Sequence, residues 1–202
     1  MPSGAEGIIF LAGLGAVAGS IIYAAHRRQN QWKEATSQAA FEMGCPSEAQ
    51  EENSLTHSTL FYQWQTRGLR ITFGGGLETV SGSYAGSNGK VAVVYEHPLP
   101  FKFSISQKRI MPSKVKIDPE FDRACHVDTD HPERMATLLQ DSGLRNAIRE
   151  MIRAGTRRVT IDHEAVRAQF FKLSDFKPGV RKLVDIAIAL ERSSSVERPQ
   201  PG

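Results

Sequence analysis

Residues 69–97 read LRITFGGGLETVSGSYAGSNGKVAVVYEH, and where this stretch is cut decides the fold. Leu69–Phe73 alternates apolar and polar side chains with the period of two that a half-buried strand requires. Gly74-Gly75-Gly76 reads as a break in the chain. Leu77–Tyr84 and Lys90–His97 then flank Ser87-Asn88-Gly89, a hairpin signal because Asn-Gly tolerates positive φ at both central positions. Working outward, Thr59–Gln65 (TLFYQWQ) is set off from Leu69 by the turn signal Thr66-Arg67-Gly68. On the other side Phe101–Ser106 (FKFSIS) alternates strictly, and Lys114–Ile117 (KVKI) adds a short piece. Five or six strands joined by short turns imply an antiparallel sheet or partial barrel.

The character changes at Asp118. A strand is expected over Ala124–Val127, then a helix capped by Asp130 with Pro132 and Glu133 in its first turn, carrying Met135, Leu138 and Leu139. A second helix is expected over Leu144–Ala154, with Leu144, Ile148, Met151 and Ile152 on one face and Arg145, Arg149 and Arg153 on the other. Arg158–His163 and Val166–Phe171 form a hairpin, and Lys177-Pro178-Gly179 introduces a last helix over Val180–Glu191. The fold class is therefore α+β: an N-terminal transmembrane helix, an antiparallel strand-rich half, then a helix-helix-hairpin-helix half.

The transmembrane helix comes from residues 7–25, GIIFLAGLGAVAGSIIYAA, which carry no charge. As a helix they would be roughly 28 Å long, close to the hydrocarbon thickness of a bilayer. A signal peptide would have a positive n-region and small residues before the cut. Here Glu6 is the only charged residue before the run, and Tyr23 stands three residues upstream of a cut after Ala25. His26, Arg27 and Arg28 follow directly and put the remainder on the cytoplasmic side of the inner membrane, with Tyr23 at the interface. Gly15 and Gly19 form a G-x-x-x-G through which two such helices could pack into a homodimer.

The chain divides into an extracytoplasmic N-terminus (1–6), the span (7–25), a helical stalk (26–46), a cytoplasmic α+β domain (47–192) and a disordered tail (193–202). Within the stalk Trp32, Ala35, Ala39 and Met43 share one face, and Gly44 followed by Pro46 ends the helix. Residues 47–54, SEAQEENS, read as an acidic linker.

The 25 Lys and Arg against 22 Asp and Glu give a net charge of +3, too mild for a nucleic-acid binder. Cys45 and Cys125 make neither a C-x-x-C motif nor a disulfide framework. A phosphate loop fails on two counts: Val91 follows Gly89-Lys90 where Ser or Thr is required, and Tyr84 stands where the first glycine belongs. The densest polar cluster, residues 118–133, offers Asp118, Glu120, Asp122, Cys125, His126, Asp128, Asp130, His131 and Glu133. On a strand, however, Cys125 and His126 point to opposite faces, and no H-E-x-x-H occurs. Asp162, His163 and Glu164 fall where a hairpin turn is expected. No catalytic, cofactor or metal residue is assigned. Lys108, Arg109, Arg145, Arg149 and Arg153 are the candidate contacts to lipid or to an acidic partner.

Residues 118–139, DPEFDRACHVDTDHPERMATLL, resemble small uncharacterised bacterial single-pass membrane proteins. In these a "p-e-F-D-x-x-f-x-V-x-s-x-D-p" strand leads into a helix ending in paired leucines. Pro119, Glu120, Phe121, Asp122, Val127, Asp130, Leu138 and Leu139 match. Cys125 replaces the usual aromatic, and Gln140-Asp141-Ser142 stands in place of L-T-P. The resemblance implies a membrane-anchored α+β protein and transfers no catalytic residue. The expected function is a membrane-tethered binding or scaffold module that docks a protein partner or the anionic leaflet. The alternatives are a membrane-attached, metal-assisted enzyme using the 118–133 cluster, and a structural subunit of an envelope complex.

Overall fold

The computed structural model describes residues 4–45, 49–53, 57–66, 68–80, 84–107, 113, 115–153 and 158–195. Within these ranges the side chains of 4–18, 49, 51–53, 57–58, 77–80, 84–87, 158 and 195 lie outside the description. Helices are α1 (Gly4–Glu42), α2 (Pro119–Ala124), α3 (Pro132–Leu138), α4 (Ser142–Arg153) and α5 (Leu173–Ser195). Strands are β1 (Ala49–Asn53), β2 (His57–Thr66), β3 (Leu69–Val80), β4 (Tyr84–Tyr95), β5 (Phe103–Gln107), β6 (Cys125–Thr129), β7 (Arg158–Asp162) and β8 (Ala165–Phe170). They form one 8-stranded sheet in the order β1-β2-β3-β4-β8-β7-β5-β6, every neighbouring pair antiparallel.

The triple glycine does not break the chain, and Ser87-Asn88-Gly89 is not a turn. Both lie inside long strands, with Gly75 paired to Gly89 across β3 and β4. The hairpin turns instead at 81–83, outside the described residues. Packing supplies the reason. The Trp32 ring of α1 and the Phe176 ring of α5 sit directly on this glycine pair. A Cβ on Gly75 would meet Trp32 Cε3 at 2.8 Å, and one on Gly89 would meet Phe176 Cδ2 at 2.3 Å. Trp32 and Phe176 touch edge to face with centroids 5.3 Å apart, and both are buried.

Residues 32–43 are therefore not a free stalk. Trp32, Thr36, Ala39 and Ala40 are buried, so the second half of α1 belongs to the core. The helix ends as its glycine requires: Gly44 has φ +66°, Gly44 N donates to Phe41 O at 3.1 Å and Cys45 N to Ala40 O at 3.0 Å. Span and stalk segments form one unbroken helix of 39 residues, roughly 58 Å long. Among the described residues no helix is long and apolar enough to cross a membrane. The side chains of 4–18, which hold most of the apolar run, lie outside them.

Part of the acidic linker pairs with β2 as β1, whose charges suit a sheet edge. Lys114–Ile117 forms no strand: residue 114 is outside the described set and Val115 is buried in a bend. Residues 119–124 form a helix that strand patterning misses. Asp118 caps it, accepting from Glu120 N at 2.9 Å and Phe121 N at 2.8 Å, with Pro119 in the first turn. The cap of α3 is His131 rather than Asp130, and it makes no side-chain capping bond. Helix α5 begins at Leu173, so Pro178-Gly179 lies within it. Gly179 stays there because a Cβ would stand 2.2 Å from Phe170 Cε1. The tail beyond Ser195 is outside the described residues.

The core carries one unmet polar group among the described residues. Tyr95 Oη is buried with no hydrogen-bond partner among the described residues, and its burial raises its pKa, with Asp162 and Glu191 adding to the shift. Tyr95→Phe removes that cost without leaving a cavity. Thermal unfolding of the variant should show an unchanged Tm or a gain of about 2–4 °C, equivalent to about 1 kcal/mol; a clear loss would reveal a partner for the hydroxyl.

Candidate functional site

Three surfaces bear on function. The first is the exposed part of α1. Ile21, Ile22 and Tyr23 are 64%, 69% and 71% exposed, and Gly19 would offer a Cβ no neighbour within 4 Å. Arg27 and Arg28 are exposed just beyond, and His26 Nδ1 lies 3.3 Å from Asn30 Nδ2. From Gly19 to Gln31 the described side chains are exposed except Ala25 and Gln29, which are half-buried, and one turn after Arg28 the chain enters the core at Trp32. Gly15 is within α1, in the portion whose side chains are not described.

The second surface is the arginine face of α4. Two of its three members are committed internally. Arg145 Nε reaches Asp118 Oδ2 at 2.9 Å and Arg145 Nη1 donates to Leu139 O at 3.0 Å, while Arg149 pairs with Glu120. Arg153, in the last turn, is exposed. Lys108 and Arg109 lie outside the described residues. Charge spacing along α4 was legible in the sequence; the pairing was not, because α2 was unrecognised.

The Asp118 carboxyl is held below its ordinary pKa, first by the Phe121 and Glu120 amides and then by Arg145 and Arg149. A carboxylate with a depressed folded-state pKa stabilises at pH values above its ordinary one, and the contribution is lost as pH falls through the folded-state pKa. Asp118→Ala should therefore cost roughly 1–2 kcal/mol in urea unfolding at neutral pH. The gap to the native chain should narrow as the pH drops below about 4. A gap independent of pH would contradict the ionic contribution.

The third surface is the sheet face opposite the core. Gln63, Thr72, Ala92, Arg167, Thr160, Ser106 and His126 form one row across neighbouring strands, each at least partly exposed. Arg167 is tied to Asp162 at 2.8 Å. The Asp162 carboxylate also accepts from Glu164 N and Ala165 N, so the hairpin acids are turn-makers.

The 118–133 cluster is dispersed by this architecture. Asp118 and Glu120 hold arginines, Cys125 is buried, and His126 faces the other way, its Nδ1 3.5 Å from Ser113 Oγ. Among the described residues no three His, Cys, Asp or Glu side chains converge as metal ligands would. Burial pushes the Cys125 thiol up to about 12 and Cys45 up to about 11, so neither supplies a thiolate near neutral pH. Sequence reading also missed an open groove of about 480 Å³ between α1 and α5. Ala39, Met43, Pro178 and Val184 line it, and the Glu42–Lys177 ion pair (2.5 Å) borders it. Comparison with protein-family models, curated proteins and solved structures gives no match.

Proposed function

We propose that this chain is a membrane-tethered binding module, held by residues 7–25 as a single span and presenting its α+β domain on the cytoplasmic side of the inner membrane. One observation carries the reading. The apolar run and the first core residues lie on one continuous helix, whose upper part, Gly19–Gln31, is exposed apart from the half-buried Ala25 and Gln29. Isoleucines and a tyrosine exposed around a helix need a cover, and lipid supplies one where protein does not. His26, Arg27 and Arg28 then meet the headgroups with Tyr23 at the interface.

Trp32 is one helical turn, about 6 Å, beyond Arg28, so the domain sits on the membrane surface rather than on a swinging stalk. That geometry suits a module that docks a protein partner near the leaflet or engages the leaflet itself. The polar sheet face, free of helices among the described residues, is the partner surface this reading favours. The enzyme alternative loses support from the dispersal of the 118–133 side chains.

Alkaline carbonate extraction of native membranes tests the anchor. The full chain should stay in the pellet, and a chain starting at residue 26 should move to the supernatant while remaining folded. Full-length protein released by carbonate would sink the reading. Protease added to intact spheroplasts should leave the domain uncut, and cleavage would overturn the orientation. Mild crosslinking of native membranes through Thr72→Cys should trap one dominant protein, and an uncrosslinked monomer would count against partner docking by the sheet face.

A further inference from the structure

Resting on that anchored reading, we propose that copies of this chain associate side by side in the membrane, Phe41 of one copy seating in the groove between α1 and α5 of the next. Phe41 is 88% exposed, more than any other large apolar side chain among the described residues. It stands on the side of α1 turned away from the core, together with the exposed Ser37 and Gln38, three and four residues before it. The side facing the sheet holds Trp32, Thr36, Ala39 and Ala40, all buried. A single exposed phenylalanine calls for no cover by itself. Its position relative to the groove is what gives it a destination.

The groove, about 480 Å³, is walled by Ala39, Met43, Pro178 and Val184, and the Glu42–Lys177 ion pair spans α1 and α5 at its border, so the charges of those two side chains are matched there. Ala39 and Met43 are each two residues from Phe41 along α1. At about 100° and 1.5 Å per residue, they stand roughly 160° around the helix from Phe41 and roughly 3 Å from it along the axis. The protruding ring and the groove are thus at one height on nearly opposite flanks of the same helix.

The tether turns that match into a contact. Copies held by the same single span differ only by rotation about the membrane normal and translation in its plane, so residues at equal depth meet. Helix α1 carries that depth without a break from the span to Glu42. A neighbouring copy therefore brings its Phe41 to the level of this groove. Because ring and groove occupy different flanks, the contact is head to tail and repeats into a row or a closed ring of copies, where a two-fold pair would need one self-complementary patch. One side chain in one groove is a small contact and weak in solution. Confinement to the bilayer raises the effective concentration at which it forms.

The test uses the full chain in proteoliposomes, with the photoreactive p-benzoylphenylalanine in place of Phe41, an exchange the exposed position accepts without repacking. Irradiation should join copies into dimers and higher products. The junction, located by mass spectrometry, should fall on Met43, Pro178 or Val184 of the second copy. Pro178→Glu puts a carboxylate on the groove wall at an exposed position and should cut the yield about fivefold without lowering Tm. Phe41→Ser should likewise reduce energy transfer between donor-labelled and acceptor-labelled copies at a fixed protein-to-lipid ratio. Photoproducts with lipid alone, a junction elsewhere on the domain, or a yield indifferent to Pro178→Glu overturns the contact. Carbonate extraction reads the anchor separately. A chain kept in the pellet that gives no such junction refutes the contact and leaves the anchor standing, whereas a released chain refutes the anchor and with it the shared depth.

Discussion

Gly89→Ala is expected to destabilise the domain by about 3 kcal/mol, lowering Tm by roughly 6–12 °C. A single methyl group is enough because the new Cβ would stand 2.3 Å and 2.5 Å from two Phe176 ring atoms and 2.6 Å from Trp32 Cζ3. Both rings are already fully buried, with Phe176 packed edge to face against Phe170 and tilted against Phe73, so neither has a free direction to move. Gly89→Val should leave little folded protein at all. Gly143→Ala is the control: its one near neighbour is the exposed Asp141 carboxylate at 3.2 Å, which need give by only a few tenths of an ångström, and its stability should stay close to that of the native chain. Phe176→Leu in the Gly89→Ala background should recover part of the loss although it is destabilising alone. A double-mutant cycle in unfolding free energies checks that sign, and simple additivity would show that the strain lies elsewhere.

This glycine pair also shows what the sequence could not say. Local chemistry reads Gly-Gly-Gly as a break and Asn-Gly as a turn. The physical alternative, a strand kept bare for a close approach, depends on Trp32 and Phe176, which are remote in sequence. Where burial is decided within one element, the reading held. Leu144, Ile148, Met151 and Ile152 are the buried face of α4, and the 158–171 hairpin forms as its alternation implies. At Pro178-Gly179 the opposite happened, since a helix accepts that pair when Phe170 fills the space a side chain would take. For the basic clusters, sequence gave the charges but not their partners. Asp118-Pro119-Glu120 held the cap signature that would have revealed α2, and with it the pairing of Arg145 and Arg149.

The largest effect is expected from where the chain is cut. Composition alone puts a domain boundary near residue 47, which makes 47–202 the natural fragment to express. The fold places it at the other end of the packed helix. A chain starting at 47 loses Trp32, Thr36, Ala39 and Ala40 from the core and leaves Phe73, Phe176 and the Gly75–Gly89 trough uncovered. Removing one buried Trp side chain costs about 3–5 kcal/mol. Adding the alanines and the uncovered aromatic surface brings the loss to the order of a whole domain's stability, about 5–15 kcal/mol. Residues 47–202 should therefore be recovered as aggregate or as an expanded state that binds hydrophobic dye. Residues 26–202 should give a cooperative thermal transition and a monomeric elution profile. Trp32→Ala in the 26–202 chain should fall between them, folded but with Tm lowered by roughly 6–20 °C. A cooperatively folded 47–202 fragment would mean that the second half of α1 is dispensable. The proposed rigid link from tether to core would then fail. If 26–202 alone folds, the second half of α1 belongs to the domain, and Arg27, Arg28 and Trp32 stand on one continuous helix that enters the core.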